Sequence, residues 1–124
     1  MNYRVVDPDD LEPVEDRPCE LRRLSEAAGL TTVAINRFRA EPGEQLPLAY
    51  HYHEHQEEAF VVVSGTLHVE TPDGEFEVLE GEVFAADTEA PHRAYNPDSA
   101  DEAVEVIAIG APPSDDAVAY EPDE

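Results

Sequence analysis

The chain has 124 residues, 30 of them acidic and 7 basic, for a formal net charge of -23. The length allows one domain rather than two. Every basic residue is an arginine, too few to replace counterions on nucleic acid or to hold an anionic membrane surface.

Residues 7–18, DPDDLEPVEDRP, read as a loop or extended arm, because three prolines sit among carboxylates. Leu21, Leu24 and Ala28 then fall at helical spacing with Gly29 as a stop, which predicts one short helix over 20–28. From Thr31 the texture becomes β-branched and alternating, and a strand is expected over 32–40. Glu41-Pro42-Gly43 makes a turn, and 46–53 reads as the next strand. The apolar run 58–64, closed by Gly65, fits a strand buried on both faces. Segments 66–71 and 75–80 flank the turn Pro72-Asp73-Gly74 and form a hairpin. Segments 82–86, 92–96 and 103–110 complete about eight short strands, the pattern of an all-β sandwich or barrel. The chain thus divides into an arm and short helix (1–31), a barrel (32–110) and an acidic tail (111–124), in which only Ala117–Tyr120 is expected to pack.

High charge with low hydrophobicity favours disorder, and the two ends fit that description. The middle does not, so its acidity reads as a shell on a folded core. Such a shell repels itself in dilute buffer and is screened by salt, which points to a protein of a salt-rich cytoplasm. The lone Cys19 excludes an internal disulfide and, with no base motif beside it, reads as a bystander thiol. The N-terminus lacks the apolar stretch of a secretory signal, and the longest purely apolar run, Ala59–Val63, is far short of a membrane span. A cytoplasmic location is expected.

Three of the five histidines lie in His51-Tyr52-His53-Glu54-His55. Residues i and i+2 of a strand share a face, so His51 and His53 project together, as a divalent metal requires of one strand. Glu57 and Glu58 follow at the head of the apolar strand, where an inward carboxylate is costly unless paired or bound to a cation. His92 is a fourth candidate. A solvated strand end rich in histidine and acid is the competing reading.

The spacing has a second level. Gly43 precedes the pair, four residues separate His53 from Glu58, six separate Glu58 from Gly65, and Gly81 leads to His92 and, after three intervening residues, Asn96. This resembles the two-part signature of the cupin superfamily, in particular its small single-domain members of the cupin 2 type. EPGEQLPLAYHYHEHQEEAFVVVSGTL carries the first part and PHRAYN the second. Seven residues rather than five separate Gly43 from His51, Asp87 stands in place of a proline and Glu89 in place of a glycine; these departures bear on a turn, not on a ligand. The resemblance implies a double-stranded β-helix barrel and a metal held by His51, His53, Glu58 and His92 with two open positions. Three imidazoles and a carboxylate suit Fe, Mn, Ni, Co or Zn about equally.

Spacing to Gly65 selects Glu58 over Glu57, puts Phe60 and Val62 on its face and turns Glu57 outward. His55 continues the i, i+2 series, and His55 or Glu57 is a candidate base beside the metal. His68 is expected on the solvent face. Arg37 and Arg39 share a face and are expected to pair with surface acids, with a carboxylate substrate as the alternative. Phe38 and Phe84 read as core, and Asn96 as a structural partner of backbone. No nucleophile elbow, glycine-rich phosphate loop or CxxC pair occurs. The functional expectation is a metal-dependent enzyme, a dioxygenase or isomerase, acting on a small organic molecule; the alternative is a non-catalytic module that binds a sugar or organic acid. A homodimer is expected, with the arm around Tyr3–Val6 able to add a strand to a neighbour.

Overall fold

Alternating burial over 57–64, 67–71 and 104–111 decides which side chains meet in the core. The computed structural model describes residues 2–114 and 116–121. The strands are β1 (Glu20–Arg23), β2 (Ala34–Ala40), β3 (His51–His53), β4 (Glu57–Ser64), β5 (Leu67–Thr71), β6 (Gly74–Val78), β7 (Val83–Ala86), β8 (Arg93–Tyr95), β9 (Val104–Ala111) and β10 (Ala117–Ala119), with a single 3-10 turn at Pro8–Asp10 in the arm and one short α-helix, α1 (Leu24–Ala28). They form a five-stranded sheet in the order β1-β2-β9-β4-β7, a three-stranded sheet β6-β5-β8 and a pair β10-β3. An antiparallel bridge between His51 and His92 ties β3 to the segment leading into β8. Among the described residues no helix is long and apolar enough to cross a membrane.

The core lies between the sheets. Phe60 and Val62 of β4, Leu67 and Val69 of β5, and Val104, Val106 and Ala108 of β9 bury their side chains there, and Phe38 and Phe84 pack against them. β4 and β9 pair from Glu57–Ala111 to Val62–Val106, with an irregularity between Val62 and Ser64. Gly65 follows at φ +80°, and a Cβ there would lie 2.6 Å from the Ala103 carbonyl oxygen. Only glycine fits that turn without strain.

Three expectations need correction. The strand expected over 58–64 is not buried on both faces: Phe60 and Val62 are buried, but Val63 is exposed. The helix predicted over 20–28 is confined to Leu24–Ala28, ending at Gly29 as expected. Residues 20–23 instead pair with β2, from Glu20–Arg39 to Arg23–Asn36. Leu21 is buried while its neighbours Glu20 and Arg22 form an ion pair. Pairing with an open sheet edge overrides a weak helical spacing of three small apolar residues. The strand predicted over 46–53 is regular only at His51–His53; ahead of it, Gln45 bridges singly to Tyr95. In the C-terminal segment, β10 pairs with β3, Ala117 opposite His53 and Ala119 opposite His51. Residues 115 and 122–124 of the expected acidic tail lie outside the described residues.

Candidate metal centre

His51, His53 and His92 come from neighbouring segments of one wall, and Glu58 faces them from β4. The bridge sets His51 and His92 side by side, with His92 N–H donating to the His51 carbonyl at 2.9 Å. Their rings lie 4.8 Å apart, as do those of His51 and His53. The ligand atoms of His51, Glu58 and His92 all fall within 4.8 Å of one another. His53 stands at the edge of this group, its Nε2 at 3.2 Å from His51 Nε2 and 3.5 Å from Glu58 Oε1. β4 alternates as its spacing suggests: Phe60 and Val62 are buried on the Glu58 face, and Glu57 is exposed.

Each imidazole is anchored through Nδ1. His51 donates to the Ala49 carbonyl at 2.9 Å and His92 to the Ala90 carbonyl at 2.9 Å. His53 donates to Asp116 Oδ1, also at 2.9 Å. These oxygens only accept, so Nδ1 carries the hydrogen and a neutral ring presents a bare Nε2. His92 Nε2 then faces Glu58 Oε1 at 2.9 Å, lone pair against carboxylate. That contact calls for a proton or a metal cation between the two. The separations of 2.9–3.5 Å match the edges of roughly 3 Å spanned by ligands bound ~2.0–2.2 Å from one ion. The donor set therefore fits a divalent transition metal.

Electrostatics follow from this arrangement. Burial pushes the Glu58 carboxyl up, but hydrogen bonds from His53 and His92 and their charge outweigh it and bring it from 4.5 down to about 2. The hydrogen bond to Glu58, with Asp116 adding to it, raises the His53 imidazole against the effect of burial. Burial, with repulsion from His92 and His53, holds His51 low despite the Ala49 carbonyl and Glu58. A low His51 keeps a lone pair available for a metal near neutral pH.

Asp116 went unnoticed in the sequence. Its Oδ2 accepts from the His55 N–H at 2.6 Å and the Gln56 N–H at 3.2 Å, while Oδ1 orients His53. Burial opposes its ionisation, but these hydrogen bonds hold its carboxyl below the ordinary range. Nothing in the acidic tail distinguishes Asp116 before β10 docks on β3. Gln56 is also buried, and its amide donates to the Pro112 carbonyl at 2.9 Å. A Cβ at Gly110 would stand 2.6 Å from this side chain, so a glycine there lets Gln56 fasten the C-terminal segment over the site. Asp116→Asn is expected to weaken metal binding by ~10–100-fold, as loss of a partner that orients a ligating histidine does; competition with a metallochromic chelator measures it.

His55 and Glu57 are exposed and do not line the cavity. Glu57 points away because it neighbours Glu58 on one strand, and His55 lies beyond the end of β3, engaging Asp116 only through its backbone N–H. Neither stands where a base beside the metal would. His68 lies on the outer face against Tyr95. Arg37 pairs with Glu20 and Asp9, and Arg39 with Glu105 and Glu41. Buried Asn96 donates to the Ala40 and Glu102 carbonyls. Cys19 is buried, and burial first, with Glu44 adding to it, pushes its thiol up to about 12. Glu89, where the cupin-like signature has a glycine, adopts φ +68°, a left-handed conformation that favours glycine, and its N–H donates to the His53 carbonyl at 2.6 Å.

The site opens on a cavity of about 390 Å³ whose lining includes Leu46, Phe60, Ala94 and Ala108 as well as the cluster. A small β-barrel with a histidine–carboxylate cluster facing its interior defines a class of small-molecule and metal-binding domains. The chain belongs to the cupin family: the model described as Cupin domain matches residues 36–110. No curated protein sequence matches the chain. Among solved structures it is similar to a sugar phosphate isomerase of the cupin superfamily from Silicibacter pomeroyi, with 25% identity over 87% of this chain and 75% of that one and a TM-score of 0.76. It is also similar in fold to the polyketide cyclase RemF from Streptomyces resistomycificus (18% identity, 98% and 88% covered, TM-score 0.79). A predicted oxalate decarboxylase from Thermotoga maritima shares the fold as well (19% identity, 87% and 98% covered, TM-score 0.73).

Proposed function

We propose that this cupin is a metal-dependent enzyme of isomerase or dioxygenase type acting on a small organic molecule, with His51, His53, Glu58 and His92 as metal ligands. The observation that carries this reading is the anchoring of three Nδ1 atoms by oxygen acceptors, which turns three Nε2 atoms toward one carboxylate. A divalent transition metal held there supplies Lewis acidity and, if redox-active, electron transfer. The chain's own residues do the rest. The imidazoles stay oriented by Ala49, Asp116 and Ala90, Phe60 and Leu46 restrict water, and the alanine-lined floor leaves room for the ligand. The likeness to the Silicibacter pomeroyi sugar phosphate isomerase supports the isomerase branch. Metal analysis of protein purified without chelator, followed by oxygen-uptake and isomerase assays on the loaded form, tests it. A protein that neither contains nor takes up metal refutes it.

One observation favours the second reading, a non-catalytic ligand-binding module. Among the described residues lining the cavity, the only imidazoles and carboxylates are those of the cluster itself. Full metal loading with tight ligand binding and no turnover across those assays establishes this reading.

We further propose that the acidic shell adapts the chain to a salt-rich cytoplasm and that it works as a homodimer. Tyr3 and Val5 are exposed on the N-terminal arm, and Val63, Phe76, Leu79 and Val83 leave apolar surface in an otherwise charged shell. The melting midpoint is expected to climb from dilute buffer to molar KCl as repulsion is screened, and light scattering in high salt is expected to give twice the chain mass. A flat midpoint removes the first idea and a monomer mass the second.

A further inference from the structure

The arginines of this chain divide into two groups. Arg22, Arg37, Arg39 and Arg93 form ion pairs with Glu20, Asp9, Glu105, Glu41 and Glu70, and Arg4 donates to the Ala28 and Gly29 carbonyls. The side chains of Arg17 and Arg23 make no ion pair or hydrogen bond with a described residue, although the chain has 30 acidic residues. Both line the cavity that holds the histidine cluster.

Strand register places Arg23. Leu21 and Arg23 share one face of β1, and Leu21 is buried against the interior. Arg23 stands opposite Asn36 of β2, Asn36 opposite Ala108 of β9, and Ala108 opposite Phe60 of β4. Arg23, Asn36, Ala108 and Phe60 therefore form one row, from Arg23 exposed at the sheet edge to buried Phe60, next to the row of Ala34, Gly110 and Glu58. Three strand spacings, roughly 14 Å, separate the rows of β1 and β4. Between them Ala34 and Ala108 are small and Asn36 offers a polar side chain, while Gly110 is covered by Gln56. The paired residues Glu20, Arg22, Arg37, Arg39 and Glu105 occupy the outer face of the same strands.

Arg17 adds a second signal. Its Nε is buried with no hydrogen-bond partner, which is costly for a charged donor until something supplies an acceptor. Glu58, the only carboxylate lining the cavity among the described residues, is engaged with His92 and His53. An entering anion thus meets Arg17 and, at the exposed rim, Arg23, which also borders a surface pocket with Glu12 and Glu26.

We infer that the cavity selects a ligand bearing an oxyanion, a carboxylate or a phosphate, which Arg17 and Arg23, beside Asn36, seat at the end of the cavity away from Glu58. The inference names the substrate class for the site proposed above and rests on that cavity being the ligand site. Guanidinium suits the task because its planar fork binds two oxygens of one anion. The acidic shell repels such a ligand only over a Debye length, about 10 Å at 0.1 M salt and about 3 Å at 1 M, so a salt-rich solvent still lets it reach the arginines.

Calorimetric titration of the full chain with glycerol 3-phosphate and with succinate, glycerol being the neutral control, tests the inference in metal-free and manganese-loaded protein. Either anion is expected to bind while glycerol does not, and the better of the two identifies phosphate or carboxylate as the natural group. Arg17→Gln and Arg23→Gln are each expected to weaken binding by about tenfold or more, the loss typical of a charge-assisted hydrogen bond, with partial recovery in Arg17→Lys and no more than about a twofold change in the outer-face control Arg39→Gln. Manganese stoichiometry and melting of the same variants separate a ligand contact from a folding defect. The inference is overturned if neither anion binds the wild type, or if both glutamine variants stay within about twofold of it. Anion binding that depends on Arg17 in a protein that takes up no metal would leave this inference standing and defeat the metal-centre reading; metal uptake without anion binding would do the reverse.

Discussion

Protein carrying His51→Ala together with His53→Ala is expected to emerge from purification free of transition metal, where the wild type holds close to one equivalent. Two of the four donors disappear, and Asp116 loses the imidazole it orients. Loss of affinity should exceed the ~10–100-fold typical of removing a single supporting hydrogen-bond partner. The melting temperature offers a second readout. A metal that binds only the folded chain at 100 times its dissociation constant adds about 2.7 kcal/mol, so added metal should raise the wild-type midpoint and leave that of the double variant unmoved. Mass spectrometry of the purified proteins checks the first result and melting with and without metal the second. Equal metal content in the two proteins would remove these histidines from the centre.

The second large effect concerns acid. In the metal-free protein the Glu58 carboxyl sits at about 2 against an ordinary 4.5. Its folded value is depressed, so its contribution is complete above 4.5 and is lost as pH falls toward about 2. The difference corresponds to on the order of 3 kcal/mol. His51, also depressed, acts in the same direction at higher pH: the folded state favours its neutral form, and stability declines as pH drops below the ordinary 6.5. Relief of repulsion among the many exposed carboxylates works the opposite way over the same acid range, so the raw curve mixes two trends. Glu58→Gln isolates one of them. The wild type minus variant difference in unfolding free energy, measured by denaturant titration from pH 6 to pH 2.5, should shrink steadily as acid is added. A difference that stays constant with pH would show that Glu58 is not ionised against the histidines.

Much of the centre was legible because it is local. Period-two alternation puts His51 and His53 on one face and Glu57 and Glu58 on opposite faces; the spacing of Glu58 to Gly65 then chose which of the two turns inward. The same alternation turns Arg37 and Arg39 toward outer acids. The cupin-like spacing added His92, which alternation alone could not connect to His51. The short helix was overextended at its start because Leu21 satisfies both a helical spacing and a buried strand position, and only the free edge of β2 decides between them.

By itself the sequence determined the all-β texture, the acidic shell, the shared face of the first histidine pair and, through its spacing to Gly65, the inward glutamate, since each is set by residues close in the chain. Only the tertiary structure decided that His92 lies beside His51, that Asp116 rather than another tail acid holds His53, and that Arg17 and Arg23 alone among the arginines border the cavity without a carboxylate. Those facts depend on strand register and on contacts between residues tens of positions apart. Such contacts form only when distant strands bury their apolar faces together, and no local pattern of residues encodes which partner each strand will meet.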